Sequence, residues 1–136
     1  SYDNHIKILP VRVATGYAVS AEEDPRGYDV IGADMKVAGK VVDLWVDRSE
    51  ALLRYFELAL PNGRNVLLPV TFSDIKRGVK PGVGRIKVEA LLASQFADVP
   101  ALRKPDSVTR LEEEKICAYY GAGTLYATPH RAEPLL

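Results

Sequence analysis

Between residues 40 and 70 the chain carries three strand-length apolar runs separated by two short turns, and no other feature constrains the fold as much. The first run, 40–46, alternates: Val42, Leu44 and Val46 share one face, and Val41, Asp43 and Trp45 share the other. The second is 52–60 and the third 64–70. Between these two stands Pro61-Asn62-Gly63, and Asn-Gly between apolar runs is a strong hairpin signal. Pro61 suits the first turn position, and Gly63 tolerates the positive φ that such a loop needs. Pro69 has no N–H to give to a ladder, which puts the third run at a sheet edge or a bend.

The flanking segments extend this pattern. Residues 5–9 alternate, 11–19 reads as a further strand interrupted at Thr15-Gly16, and 20–27 is a polar loop punctuated by Pro25 and Gly27. A short strand follows at 28–31, then turns at 32–34 and 38–39, then the central runs, a turn at 80–84 and a strand at 85–91. Short strands at close spacing predict a small barrel over about 6–91. Residues 92–97 can form one helical turn before Pro100. Thr109 and Glu112 make a capping box, and Glu112, Glu113 and Glu114 suit the positive end of a helix. The spacing predicts a helix to about Tyr120 that stops at Gly121 or Gly123, then an extended tail, the whole unit covering about 107–136. The fold class is therefore mainly β with a C-terminal α-helix, in a single domain.

Composition narrows the function classes. Eighteen basic residues balance eighteen acidic ones, so no net charge draws the chain to nucleic acid or anionic lipid. One cysteine excludes an internal disulfide and a cysteine-rich zinc site. No apolar run approaches the ~20 residues needed to span a bilayer. Trp45 and the pair Tyr119-Tyr120 lack the basic stripe of a base-stacking platform, so no nucleic-acid partner is expected. Gly121-Ala122-Gly123 follows a helix instead of opening one, unlike a phosphate loop. Ser49 and Ser94 lack the setting of a nucleophile elbow. Cys117 is expected to be a small buried side chain, and His130 a surface residue.

The turn after the Trp-bearing strand holds the candidate site. Asp47 and Glu50 stand three residues apart there, with Arg54 just beyond. Carboxylates at a strand end can carry protons, bind a cation or simply solvate the loop. As exposed ion pairs they are worth at most about 1 kcal/mol.

Four segments carry a family resemblance: KVVDLWVD at 40–47, VSA at 19–21 with PRG at 25–27, LLASQFADVP at 91–100, and TRLEEEKICAYYGAGTLYATP at 109–129. Together they resemble the cytoplasmic domain of the photosynthetic reaction-centre H subunit of purple bacteria. The resemblance implies a PRC-type β-barrel that caps the cytoplasmic side of the L and M subunits at the photosynthetic membrane. It implies a non-catalytic subunit that supports proton delivery to the secondary quinone. Bacteriochlorophyll, bacteriopheophytin, quinone and non-haem iron would belong to the partner subunits, with no cofactor bound by this chain. The chain begins at Ser1, and the resemblance implies the C-terminal part of a longer subunit, without that family's N-terminal transmembrane helix and linker. Trp45 is expected to pack in the core or at an interface; Val41, Trp45 and Phe56 place apolar groups where a one-sided strand expects polar ones, so one side of the barrel is expected to pack against partners or against that N-terminal part.

By position the resemblance makes Glu50 and Asp47 members of the proton path, with Arg54 and Lys7 as electrostatic support. His5 falls at the point of proton uptake, where an imidazole titrating near neutrality collects protons well. Asp3 stands where that family commonly has a second histidine. No resident metal is expected; His5 and Asp3 together offer at most a weak two-ligand surface site for Zn²⁺. The rival reading is a stand-alone PRC-barrel binding module of the ribosome-maturation type.

Overall fold

The computed structural model describes residues 8–14 and 16–126. Seven strands form one sheet: β1 Ile8–Pro10, β2 Asp29–Ile31, β3 Val37–Asp47, β4 Leu52–Ala59, β5 Asn65–Pro69, β6 Asp74–Arg77 and β7 Gly84–Lys87. They run in the order β5-β4-β3-β2-β7-β6, with β1 added beside β3. One long helix follows, α1 Arg110–Tyr126. The expected class, mainly β with a C-terminal helix, is what forms. The sheet is an open path with β5 and β6 at its ends, not a closed barrel.

β3 organises the sheet because it is long enough to take three partners. One edge pairs with β4 from Lys40 to Asp47; the other pairs with β2 at its start and β1 at its end. The β4–β5 hairpin closes as its sequence predicts. Leu60 N–H donates to Arg64 O at 2.9 Å, Gly63 N–H donates to Leu60 O at 3.0 Å, and Gly63 takes φ 89°. β5 ends at Pro69 on the sheet edge and passes into a 3₁₀ turn, Val70–Phe72.

Several sequence expectations are corrected. Residues 11–13 are a turn, not the start of a strand: Val13 and Ala14 N–H both donate to Pro10 O, which folds the chain back on itself. Ala38 and Gly39 lie inside β3, not in a turn. A Cβ at Gly39 would sit 2.6 Å from the Ala59 carbonyl oxygen, so glycine allows β4 to approach. β6 carries no apolar strand pattern, because Asp74-Ile75-Lys76-Arg77 is mostly polar and exposed; it holds its place by pairing with β7. The alternation across 40–46 fails at Val42. The β3–β4 register skips from Val41 to Asp43, a β-bulge that leaves Val42 exposed and swings Asp43 inward.

The core fills the space between sheet and helix. Trp45, Tyr28, Tyr55, Tyr120, Phe56 and Phe96 are its largest fully buried side chains. Burying a side chain of Phe size is worth about 1.5–3 kcal/mol. Trp45, Val41 and Phe56 are therefore committed to the domain's own interior and form no adapter surface. On α1, Glu112, Ile116 and Tyr120 fall four residues apart, share one face and are buried. Tyr120 stacks on Phe72 at 5.6 Å, meets Phe96 edge-on at 6.1 Å, and donates its hydroxyl to Leu67 O at 2.9 Å.

The helix starts as its sequence predicts: Glu112 N–H donates to Thr109 Oγ1 at 3.1 Å, and Thr109 N–H donates to Glu112 Oε1 at 2.8 Å. It does not stop at Gly121 or Gly123 but runs to Tyr126. At Gly123 a Cβ would lie 2.5 Å from a Leu91 methyl and 2.6 Å from Ala90 O, so this glycine is a packing contact and not a stop.

Candidate functional site

The turn between β3 and β4 is tight. Residues 48–51 link the strands, and Ala51 takes φ 55°, a left-handed conformation that costs a residue with a Cβ roughly 1–2 kcal/mol. Asp47 is not in the turn: it is the last residue of β3, sandwiched between Ile8 and Leu52, and only 5% exposed. Its Oδ1 accepts Ser49 N–H at 2.9 Å and Ser49 Oγ–H at 2.7 Å. Burial pushes its pKa up. The Ser49 hydroxyl and N–H, the Glu50 N–H and the nearby Arg54 charge outweigh burial and hold the carboxyl below its ordinary value. Asp47 is thus fixed as an anion at neutral pH. Glu50 projects from the turn, exposed, with no side-chain partner among the described residues.

Arg54 links the turn to the helix. Its guanidinium lies 3.5 Å from Asp47 Oδ2 and 3.6 Å from Glu113 Oε1. Glu113 also accepts the Tyr55 hydroxyl at 2.7 Å, and burial together with that bond pushes the Tyr55 pKa up. Cys117 lies one helical turn on from Glu113 and is exposed, contrary to its expected burial.

A second acidic cluster lies farther along the same two strands. The bulge at Val42 brings Asp43 into register with Glu57. Both are buried, at 4% and 6% exposure. Two carboxylates directly opposite would repel, and here one cation reconciles them. Arg12 Nη1 donates to Asp43 Oδ2 at 2.9 Å and to Glu57 Oε1 at 2.7 Å. Its Nη2 donates to Pro105 O. The Trp45 indole N–H and the Asn65 amide donate to Glu57 at 2.9 and 2.8 Å, and Leu44 N–H donates to Asp43 at 2.8 Å. Burial pushes the Glu57 pKa up, but the bonds from Arg12, Trp45 and Asn65 and the Arg12 charge bring it below the ordinary value.

The PRC-barrel domain pattern matches residues 20–93, more than half of the chain. The chain belongs to the PRC-barrel family. The matched segment covers β2 to β7, so both acidic clusters grow from the β3–β4 pair of the PRC-barrel itself, while Arg12 and Glu113 reach it from outside.

Of the predicted site residues, Asp47, Glu50 and Arg54 do gather at one end of the PRC-barrel, with Asp47 inside and Glu50 outside. Asp3, His5 and Lys7 lie outside the described residues, as does His130. Among the described residues no three His, Cys, Asp or Glu side chains are grouped to hold a metal ion, and no helix is long and apolar enough to cross a membrane. Sequence reasoning missed Arg12, Asp43 and Glu57. The available signal was a carboxylate in mid-strand between apolar neighbours: Asp43 between Val42 and Leu44, and Glu57 between Phe56 and Leu58. Such a group is either on the wet face or buried with partners.

Proposed function

We propose that this PRC-barrel chain is a structural and proton-conducting domain of a photosynthetic reaction centre. It caps the cytoplasmic side of the L and M subunits and supports proton delivery to the secondary quinone; pigments, quinone and non-haem iron belong to those partners. The observation that carries the reading is the rim at the end of β3. Glu50 is exposed and unencumbered, its backbone N–H bonds the buried anion Asp47, and Arg54 links Asp47 to Glu113. An exposed carboxylate can take a proton from water and pass it on, while fixed neighbouring charge draws protons to the rim. The sequence blocks at 40–47, 91–100 and 109–129 support the same reading by resemblance.

The test has two parts. The chain should co-purify with apolar, pigment-bearing membrane subunits. In that complex Glu50→Gln should slow the proton-coupled second reduction of the quinone more than the first electron transfer, with Asp47→Asn adding to the effect. Unchanged kinetics in the double variant would remove the rim from the pathway. The rival reading, a stand-alone binding module of the ribosome-maturation type, rests on the family match alone. Recovery with ribosomal proteins and not with pigment proteins would favour it.

A further inference from the structure

A pocket of about 660 Å³ opens beside the Asp43–Glu57 pair, within the 300–1,000 Å³ usual for small-molecule sites. Its lining divides by chemistry. Val42, Leu67 and Leu102 supply apolar wall, and Val42 is available only because the β-bulge turns it out of the sheet. The two carboxylates of the lining are spent on Arg12, Trp45 and Asn65. Three further arginines, Arg26, Arg64 and Arg103, complete the polar part.

Their charges are not balanced alike. Arg26 is paired with Asp24 at 2.7 Å. The Arg64 guanidinium donates only to the neutral carbonyl oxygens of Ala97 and Val99. The Arg103 side chain has no hydrogen-bond or ion-pair partner among the described residues. Two guanidinium groups without an acid partner therefore border an apolar hollow. A cation would be repelled there, and a neutral apolar molecule would leave both charges unanswered. The planar fork of arginine matches carboxylate and phosphate oxygens.

We propose that this pocket binds an amphipathic anion, with a carboxylate or phosphate head held by Arg64 and Arg103 and an alkyl tail against Val42, Leu67 and Leu102. The site is separate from the rim of Glu50 and does not depend on the reaction-centre reading.

Trp45 is the chain's one tryptophan, and its indole N–H donates to Glu57 in the pocket lining, so its fluorescence reports occupancy. The 136-residue chain is titrated with decanoate, decyl phosphate, decanol, decyltrimethylammonium and inorganic phosphate, each below any micelle-forming concentration. Decanoate or decyl phosphate should give a saturable change, and the tighter of the two identifies the head group. Decanol, decyltrimethylammonium and inorganic phosphate should bind at least tenfold more weakly. Arg103→Gln, an exposed change that spares the fold, should weaken the anion at least threefold, and Arg64→Gln with Arg103→Gln at least tenfold. Val42→Asp should abolish binding while far-UV circular dichroism stays unchanged. Equal binding of all the decyl compounds, inorganic phosphate binding as tightly as decyl phosphate, affinity unmoved by Arg103→Gln, or no saturable change would each overturn the proposal.

Discussion

Asp43 and Glu57 are direct cross-strand partners, and the guanidinium of Arg12 lies between them at 2.9 and 2.7 Å. The pairing exists only because Val42 is extruded as a bulge; without it, Asp43 would fall out of register with Glu57 and its side chain would move to the opposite face of β3. Arg12 comes from the turn after β1, so this one side chain ties the segment before the PRC-barrel to the middle of its sheet.

Arg12→Gln should therefore destabilise the domain by about 2–3 kcal/mol at pH 7, the scale of hydrogen bonds to charged groups. The Arg12 side chain is 41% exposed, so water moderates the loss. Arg12→Lys should fall between parent and Arg12→Gln, because it keeps the charge and loses the fork. The loss in Arg12→Gln should shrink on acidification toward pH 4, as one carboxyl takes a proton and the repulsion ends. Urea denaturation at the two pH values measures both effects; a loss that does not shrink in acid would mean that Arg12 acts only through packing.

Asp47 and Glu57 both have folded-state pKa values below their ordinary 3.8 and 4.5. The unfolded chain then binds protons more readily than the folded one, so these groups stabilise the fold above the ordinary values. That contribution is lost as pH falls through the folded values. Stability should be flat above about pH 5.5 and decline from there toward pH 3. Asp47→Asn and Glu57→Gln should each flatten the decline while lowering stability at neutral pH. Denaturation midpoints across that range check the slope.

The sequence carried the local rules well and the pairwise ones poorly. Pro61-Asn62-Gly63 encodes its hairpin, and Thr109 with Glu112 encodes a helix start, because each needs only neighbours in the chain. Glu50 at a rim was legible for the same reason. The burial of Asp47 was not, since it depends on β1 pairing at Ile8. Nor was the Asp43–Glu57–Arg12 cluster, which needs a bulge, a strand register and a turn 31 residues away in sequence. Gly121 and Gly123 look alike as helix stops, and only the packing of Ala90 and Leu91 tells them apart.

That difference can be measured. Both glycines lie within α1 without a positive φ. At Gly121 nothing lies within 4 Å of a built Cβ, so Gly121→Ala should stabilise by about 0.5–1 kcal/mol through helix propensity and a less free unfolded chain. Gly123→Ala carries the same propensity gain but drives a methyl into Ala90 O and Leu91. It should destabilise by about 1–3 kcal/mol, the range for overpacking. Thermal melting of the two variants should shift in opposite directions.

Cys117 supplies a last test because it is exposed yet poorly disposed to ionise. Burial of part of its surroundings pushes its pKa up; the Tyr55 hydroxyl works against this, and the negative charge of Glu113 adds to the rise. The thiolate is the reactive form, so access alone does not make the residue fast. Labelling by an aromatic disulfide reagent at pH 7 should go to completion in the folded state, but more slowly than a free thiol of ordinary pKa. The rate should climb steeply with pH across 8–10. Glu113→Gln removes the opposing charge and should speed labelling at pH 7 a few-fold, with far-UV circular dichroism unchanged. A rate equal to that of free cysteine in the parent, or one unmoved by Glu113→Gln, would show that the charge of Glu113 does not reach the sulfur.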